Sequence, residues 1–398
     1  MDKAKRIYQE LLQQKTGVWY VSDIYGSKIM IKVPSSTIKA IIKGCKLEFV
    51  FGIDDNIFHV GARIYDDPIN FLTITAPHKN MDEHLSIAKI MSLNKVHIQL
   101  CNELGVCQAF GDIVLNEKNN NDVLCLLGNP KRLYTGNLNE RLISSSDNFQ
   151  FSLGLDIPYF DNRSPNKIQI ISIDTKIENL QVLNNIFYGE TGTFSTEITN
   201  SDEGKLLEKE VFIALRSLFG SNVYLNPHIT NKKDISRELI DILAFSDIGI
   251  FLIESKALGV NNAVEERSMS RKIKGLQDQI KKGIKQLVGA LKRITNNELI
   301  YDESGQKVYF NRTLPPCGIV LVSELLHFGE WEEILSIIVR AMRENGILIH
   351  IMDLNELMQF ITYSNGDKYR FDDYLLERIK SFTENPSIFR QTKFIKET

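Results

Sequence analysis

Residues 238–256 read Glu-Leu-Ile-Asp-Ile-Leu-Ala-Phe-Ser-Asp-Ile-Gly-Ile-Phe-Leu-Ile-Glu-Ser-Lys, two apolar runs joined by the turn signal Ser246-Asp247-Ile248-Gly249. Short apolar runs on either side of such a turn predict a β-hairpin. Asp241, Glu254 and Lys256 interrupt runs that are otherwise fit for burial, and a buried charge is costly unless it is paired or holds a metal. If Asp247 and Ile248 are the two turn residues, Ser246 faces Gly249 and Asp241 stands opposite Glu254. Like charges directly opposed across a sheet destabilise it. Two facing carboxylates therefore make sense around a hard cation, which takes oxygen ligands. Lys256 lies two residues beyond Glu254, so it points to the same face of the strand. The alternative is an edge hairpin whose charges face water, with Lys256 paired to Glu254. Because Ile250–Ile253 are apolar on both faces, a central strand is the better expectation.

The flanking helices extend the pattern. Over 205–219, Leu207, Val211, Phe212, Leu215, Leu218 and Phe219 fall on one face of a helical wheel, which marks a buried stripe. Glu208 sits in the middle of that stripe and Glu210 on the opposite side. Glu208 is either a member of the charged site or a first-turn glutamate favoured by the helix dipole. After the hairpin, a long helix over ~265–294 carries an apolar stripe of Ile273, Leu276, Ile280, Ile284, Leu287 and Leu291. Between 267 and 293 it has nine Lys or Arg against one acid, Asp278, so 9 − 1 = +8. Charge on a helix is commonly a solvated face; charge of one sign also suits a track for phosphates, with Arg271, Lys274, Lys281, Lys282 and Lys285 as its members. Gln279 and Gln286 flank the apolar stripe.

Beyond these elements, a strand is expected at ~223–229, then Gly318–Ser323, a helix Trp331–Asn345, a strand Ile347–Met352 and a helix Asn355–Thr362. One helix, meandering strands and then alternating strand and helix give a mixed sheet flanked by helices. The N-terminal part reads as a helix (3–15), strands Gly17–Ile24, Lys28–Val33, Leu47–Ile53, Ile57–Tyr65, Ile69–Ala76, Val96–Cys101 and Val106–Leu115, and helices Ser36–Lys43 and Met81–Leu93. Residues 117–165, rich in Asn, Ser and Asp, read as turns, followed by a strand Lys167–Ile173 and a helix Ile177–Phe187. His78 and His84 match no metal-ligand spacing and read as surface histidines. The polar stretch Gly189–Gly204 is the expected linker. The fold class is thus α+β: an antiparallel-rich α+β domain over 1–190, a linker over 191–204, and a helix-flanked mixed sheet over 205–398.

Composition bounds the function. The chain has 398 residues and a net charge of −3, so contact with nucleic acid must come from a local patch and not from a global basic excess. Five cysteines, Cys45, Cys101, Cys107, Cys125 and Cys317, form no CxxC pair and read as reduced thiols of a cytoplasmic protein. The charged start offers no signal-peptide core, and no uncharged run reaches the ~20 residues of a membrane span.

Together Glu208, Asp241, Glu254-Ser255-Lys256 and the glutamine-bearing helix resemble the PD-(D/E)XK nuclease superfamily, the restriction-endonuclease-like fold, over about 204–365. Ile240 stands where the motif's proline would precede the aspartate. The resemblance implies that Asp241, Glu254 and the Ser255 carbonyl bind Mg²⁺ or Mn²⁺, and that Lys256 positions or activates the nucleophilic water. It also implies that Glu208 completes the ligand or hydrogen-bond shell and that Gln286 is the helix glutamine. The implied activity is phosphodiester hydrolysis, with DNA favoured over RNA. A homo-oligomer is expected because a duplex has two strands to cut. An N-terminal sensing domain on such a nuclease is similar to Shedu-like anti-phage organisation. The rival expectation is a nucleic-acid-binding or regulatory protein that keeps the fold without catalysis.

Overall fold

The computed structural model describes residues 3–67, 71–155, 166–189, 192–199, 203–230, 236–256, 269–323, 325 and 329–389. The chain divides into two compact units, Met1–Tyr188 with Gly192–Thr199, and Gly189–Thr191 with Asn200–Thr398. The fold is mixed α+β, with mixed and antiparallel sheets flanked by helices.

In the N-terminal unit, α1 (Lys3–Gln13), β1 (Gly17–Asp23), β2 (Gly26–Lys32), α2 (Ser35–Ile42), β3 (Leu47–Asp54), β4 (Ile57–Ile64), β5 (Leu72–Pro77), α3 (Met81–Met91), β6 (Lys95–Cys101) and β7 (Cys107–Val114) lie close to their expected positions. Part of the expected strand Ile69–Ala76, residues 69 and 70, is outside the described residues. One sheet runs β1-β2-β6-β7 and another β5-β4-β3. Ile29, Ile31, Phe49, Phe51, Phe58, Val60 and Ile98 share one apolar core with Ile87 and Ile90 of α3.

Three expectations for this unit are overturned. Residues 117–152 are not turns: α4 (Glu117–Leu127), a 3-10 turn (Pro130–Arg132) and α5 (Glu140–Ser152) form there. The asparagines that suggested turns are helix caps, since Asn116, Asn129 and Asn139 accept hydrogen bonds from Lys118 N, Lys131 N and Leu142 N. A side-chain oxygen at that position satisfies an otherwise orphaned helical N–H. The expected helix Ile177–Phe187 is instead two strands. After β8 (Ile170–Thr175), which pairs with β3, come β9 (Ile177–Val182), paired antiparallel with β7, and β10 (Asn184–Gly189). Asn179 has φ of 51°, which no helix interior adopts, and the sheet edge of β7 overrides the helical pattern. Within the expected linker, β11 (Gly192–Glu197) pairs with β10. The third correction concerns His78 and His84, which are buried rather than surface residues.

In the C-terminal unit the expected strand ~223–229 is two strands, β12 (Val223–Leu225) and β13 (His228–Thr230), which belong to different sheets. Asn226, with φ of 45°, and the following Pro227 break the run. The unit contains α6 (Glu203–Phe219), β14 (Ser236–Glu238), β15 (Ile242–Phe245), β16 (Ile250–Lys256), α7 (Met269–Thr295), β17 (Ile300–Tyr301), β18 (Pro316–Val322), α8 (Glu332–Asn345), β19 (Leu348–Asp353), α9 (Leu354–Ser364) and α10 (Lys368–Glu384). The last helix was not expected from the sequence. Residues 265–268 of the expected long helix lie outside the described residues.

The main sheet runs β12-β15-β16-β18-β19, antiparallel up to β16 and parallel from there. The hairpin register is as expected: Ile242 faces Ile253, Phe245 faces Ile250, and Ser246 N donates to Gly249 O at 3.1 Å. β16 is the central strand. Its Ile250 and Leu252 join the apolar cluster with Leu276, Ile280, Ile284 and Leu287 of α7 and Ile334 and Ile338 of α8. Its Phe251 points the other way, 4.9 Å from the Phe219 ring of α6 and 6.0 Å from that of Phe371 of α10. Two helical layers therefore sandwich the sheet. Among the described residues, no helix is long and apolar enough to cross a membrane.

Candidate active site at the end of the central hairpin

Alternation along β16 puts Glu254 and Lys256 on the face that meets α7, and both are held within the sheet by β18, where Glu254 aligns with Val320 and Lys256 with Val322. Asp241 immediately precedes β15, at the level where the ladder register sets it opposite Glu254. Both carboxylates are deeply buried, Glu254 at 1% exposure and Asp241 at 8%. Asp241 Oδ2 accepts a hydrogen bond from Ser255 N at 2.6 Å, which pins the acid to the next strand. Lys256 Nζ donates to Glu254 Oε1. The other oxygen, Glu254 Oε2, is buried without a hydrogen-bond partner.

Burial is the main reason these acids resist ionisation. It pushes Glu254 from its ordinary 4.5 up to about 7, helped by the charges of Asp241 and Glu208 and opposed by Lys256. Burial also raises Asp241 from 3.8 to about 6, against the Ser255 N–H and Lys256 and aided by a hydrogen bond with Glu238. Acids held this way favour either a proton or a cation between them. With its unpartnered oxygen and second carboxylate, the donor set fits a hard divalent ion. Among the described residues, no group of three or more His, Cys, Asp or Glu is placed to hold a metal. An ion here would therefore rest on Asp241 and Glu254, with the Ser255 carbonyl that the superfamily resemblance implies.

Glu208 is half-buried. It comes from α6, in the helical layer opposite α7, yet its charge is felt at Glu254. Glu238, at the end of β14, is the member that sequence reasoning passed over. It stands three residues before Asp241 and bonds to its carboxyl. A further acid so close to the aspartate was the available signal.

The basic helix is placed by glycine. A Cβ on Gly283 would lie 2.8 Å from Val320 Cγ1, and one on Gly318 would lie 3.0 Å from Leu287 Cδ1. α7 therefore runs antiparallel to β18, and its N-terminal half lies beside Val322 and Lys256. Two strand residues span about 6.6 Å, or roughly four helical residues at 1.5 Å each. Counted back from Gly283, that makes Gln279 the glutamine level with Lys256. Gln286 lies toward the other end of the strand, with its Oε1 buried and unpartnered. Lys274, Lys282 and Lys285 are exposed. Lys281 is committed to Glu333 Oε2 at 2.7 Å, and Arg271 falls outside the residues whose side chains are described. No protein-family model, curated protein or solved structure matches the chain.

Proposed function

We propose that the C-terminal unit is a metal-dependent nuclease of PD-(D/E)XK type. The observation that carries this reading is the pair of buried acids, Asp241 and Glu254, beside Lys256 at the end of a central strand. Asp241 and Glu254 would hold Mg²⁺ or Mn²⁺, which supplies a lowered water pKa and offsets charge on the scissile phosphate. Lys256 orients the attacking water and can hold a phosphate oxygen once its bond to Glu254 is shared. The Ser255 N–H fixes the Asp241 carboxylate, and Glu208 adds negative charge from the opposite layer. Lys274, Lys282 and Lys285, which are exposed, form the phosphate track, with DNA the favoured substrate. A second copy would serve the second strand of a duplex, and defence against invading DNA is a setting that suits an N-terminal sensing unit.

The test incubates the full chain with plasmid, linear DNA and RNA, with and without Mg²⁺ or Mn²⁺. Cleavage that needs the ion and is lost in Asp241→Asn, Glu254→Gln and Lys256→Ala is expected. Cleavage retained in all three variants refutes the site. Salt-sensitive binding with no cleavage under any condition favours the rival, a nucleic-acid-binding module.

A further inference from the structure

His78 and His84 do more than fill space. His84, on α3, is fully buried, as is nearly all of His78, just past β5, and of Tyr20 on β1. Three of their polar atoms, His78 Nδ1, His84 Nδ1 and Tyr20 Oη, have no hydrogen-bond partner. Leaving a polar group buried and unpaired costs about 1–3 kcal/mol, and the rings that carry these three are neighbours in series, Tyr20 against His78 and His78 against His84. The His84 tautomer is fixed, because Nε2 lies 2.9 Å from the Tyr134 carbonyl oxygen, which can only accept. Nε2 therefore carries the proton and Nδ1 offers a lone pair. Histidines that hold a metal through one nitrogen commonly donate the other N–H to a backbone carbonyl in this way. Burial also keeps His78 neutral, lowering it from 6.5 to about 4.

The spacing agrees. With a zinc–nitrogen distance of ~2.0–2.1 Å and roughly 1.1 Å from nitrogen to ring centre, two imidazoles on one tetrahedral ion have centroids about 5.3 Å apart. The His78 and His84 centroids are 5.6 Å apart, and the Tyr20 ring lies 6.4 Å from His78. Arg6 is bonded to Glu10, Asp82 and Glu83, and at His78 the charge of Glu83 favours a cation while that of Arg6 opposes it. The sequence spacing of the two histidines hides this, because the third group comes from a strand nearly sixty residues earlier (78 − 20 = 58).

We propose that His78 Nδ1, His84 Nδ1 and Tyr20 Oη form a binding site for a divalent transition-metal ion of the zinc class. The site is independent of the acidic site in the C-terminal unit. The test uses the full chain carrying Asp241→Asn and Glu254→Gln, so that the acidic pair cannot contribute, after dialysis against a chelator. Co²⁺ is titrated by visible absorption, which is intense for tetrahedral cobalt, and Zn²⁺ by calorimetry. One ion per chain is expected. His78→Ala and His84→Ala should abolish binding and Tyr20→Phe should weaken it at least tenfold, while His97→Ala leaves it unchanged. Tyr20→Phe removes one oxygen and keeps the core volume, so it remains informative if a histidine variant fails to fold. No stoichiometric binding by the parent, as when water fills the space, overturns the proposal. So does undiminished binding in any of the three site variants.

Discussion

Glu254→Gln should stabilise the C-terminal unit at neutral and alkaline pH when no divalent cation is present. The carboxyl is buried and raised from 4.5 to about 7 in the fold. Below pH 4.5 it is protonated in both native and unfolded chains and the fold loses nothing by it. Between 4.5 and 7 the unfolded chain ionises first, so native stability falls as pH rises. Above 7 the whole penalty is present. At ~1.36 kcal/mol per pH unit, the shift from 4.5 to about 7 corresponds to about 3 kcal/mol. Glutamine has the shape of the protonated acid and carries no charge, so the variant should gain roughly that amount at pH 8 and little at pH 4.5. Mg²⁺ at a thousand times its Kd should reverse the ranking, because an ion that binds only the native wild type then adds about 4.1 kcal/mol. Urea unfolding in EDTA measures this by the fluorescence of Trp331, which is buried in the C-terminal unit. Trp19→Phe removes the signal of the only other tryptophan, which lies in the N-terminal unit. A variant less stable than wild type at pH 8 in EDTA, or one that keeps the full wild-type loss of stability between pH 6 and 7, above the range in which Asp241 contributes its own loss, refutes the reasoning.

Two further outcomes follow from the packing of α7. Gly283→Ala should destabilise the unit, because the new Cβ would meet Val320 Cγ1 at 2.8 Å. Overpacking of about 1–3 kcal/mol outweighs the gain of up to ~1 kcal/mol that alanine brings to a helix interior; chemical denaturation reads the difference, and a net gain would show that the contact yields. Lys274, Lys282 and Lys285 are exposed, so their combined replacement by alanine should flatten the salt dependence of DNA binding. Each lost phosphate contact lowers the log–log slope by about 0.9, as measured by fluorescence anisotropy. An unchanged slope removes these lysines from the interface.

Much of the C-terminal unit was legible because its signals are local. The hairpin turn set the register of β15 on β16, and apolar runs on both faces marked β16 as central. The stripe of Leu276, Ile280, Ile284 and Leu287 located the buried side of α7. Reading failed where one residue type serves two geometries. Asn116, Asn129 and Asn139 suit a turn or a helix cap equally, and the helices behind them decided which. The 177–187 segment followed the exposed edge of β7 instead of its own pattern.

By itself, then, the sequence determined which side chains share a face, because strand and helix periods are fixed by backbone geometry. It brought Asp241, Glu254 and Lys256 to one end of one hairpin. Only the tertiary structure decided what those groups meet. It added Glu238 to the carboxylates, brought the charge of Glu208 from the other helical layer, and ran α7 antiparallel to β18 so that Gln279 lies level with Lys256. It also turned two apparently exposed histidines inward, His78 against Tyr20 and His84 against His78. The physical reason is that periodicity is written within a few residues, whereas burial and charge depend on neighbours that arrive from distant parts of the chain.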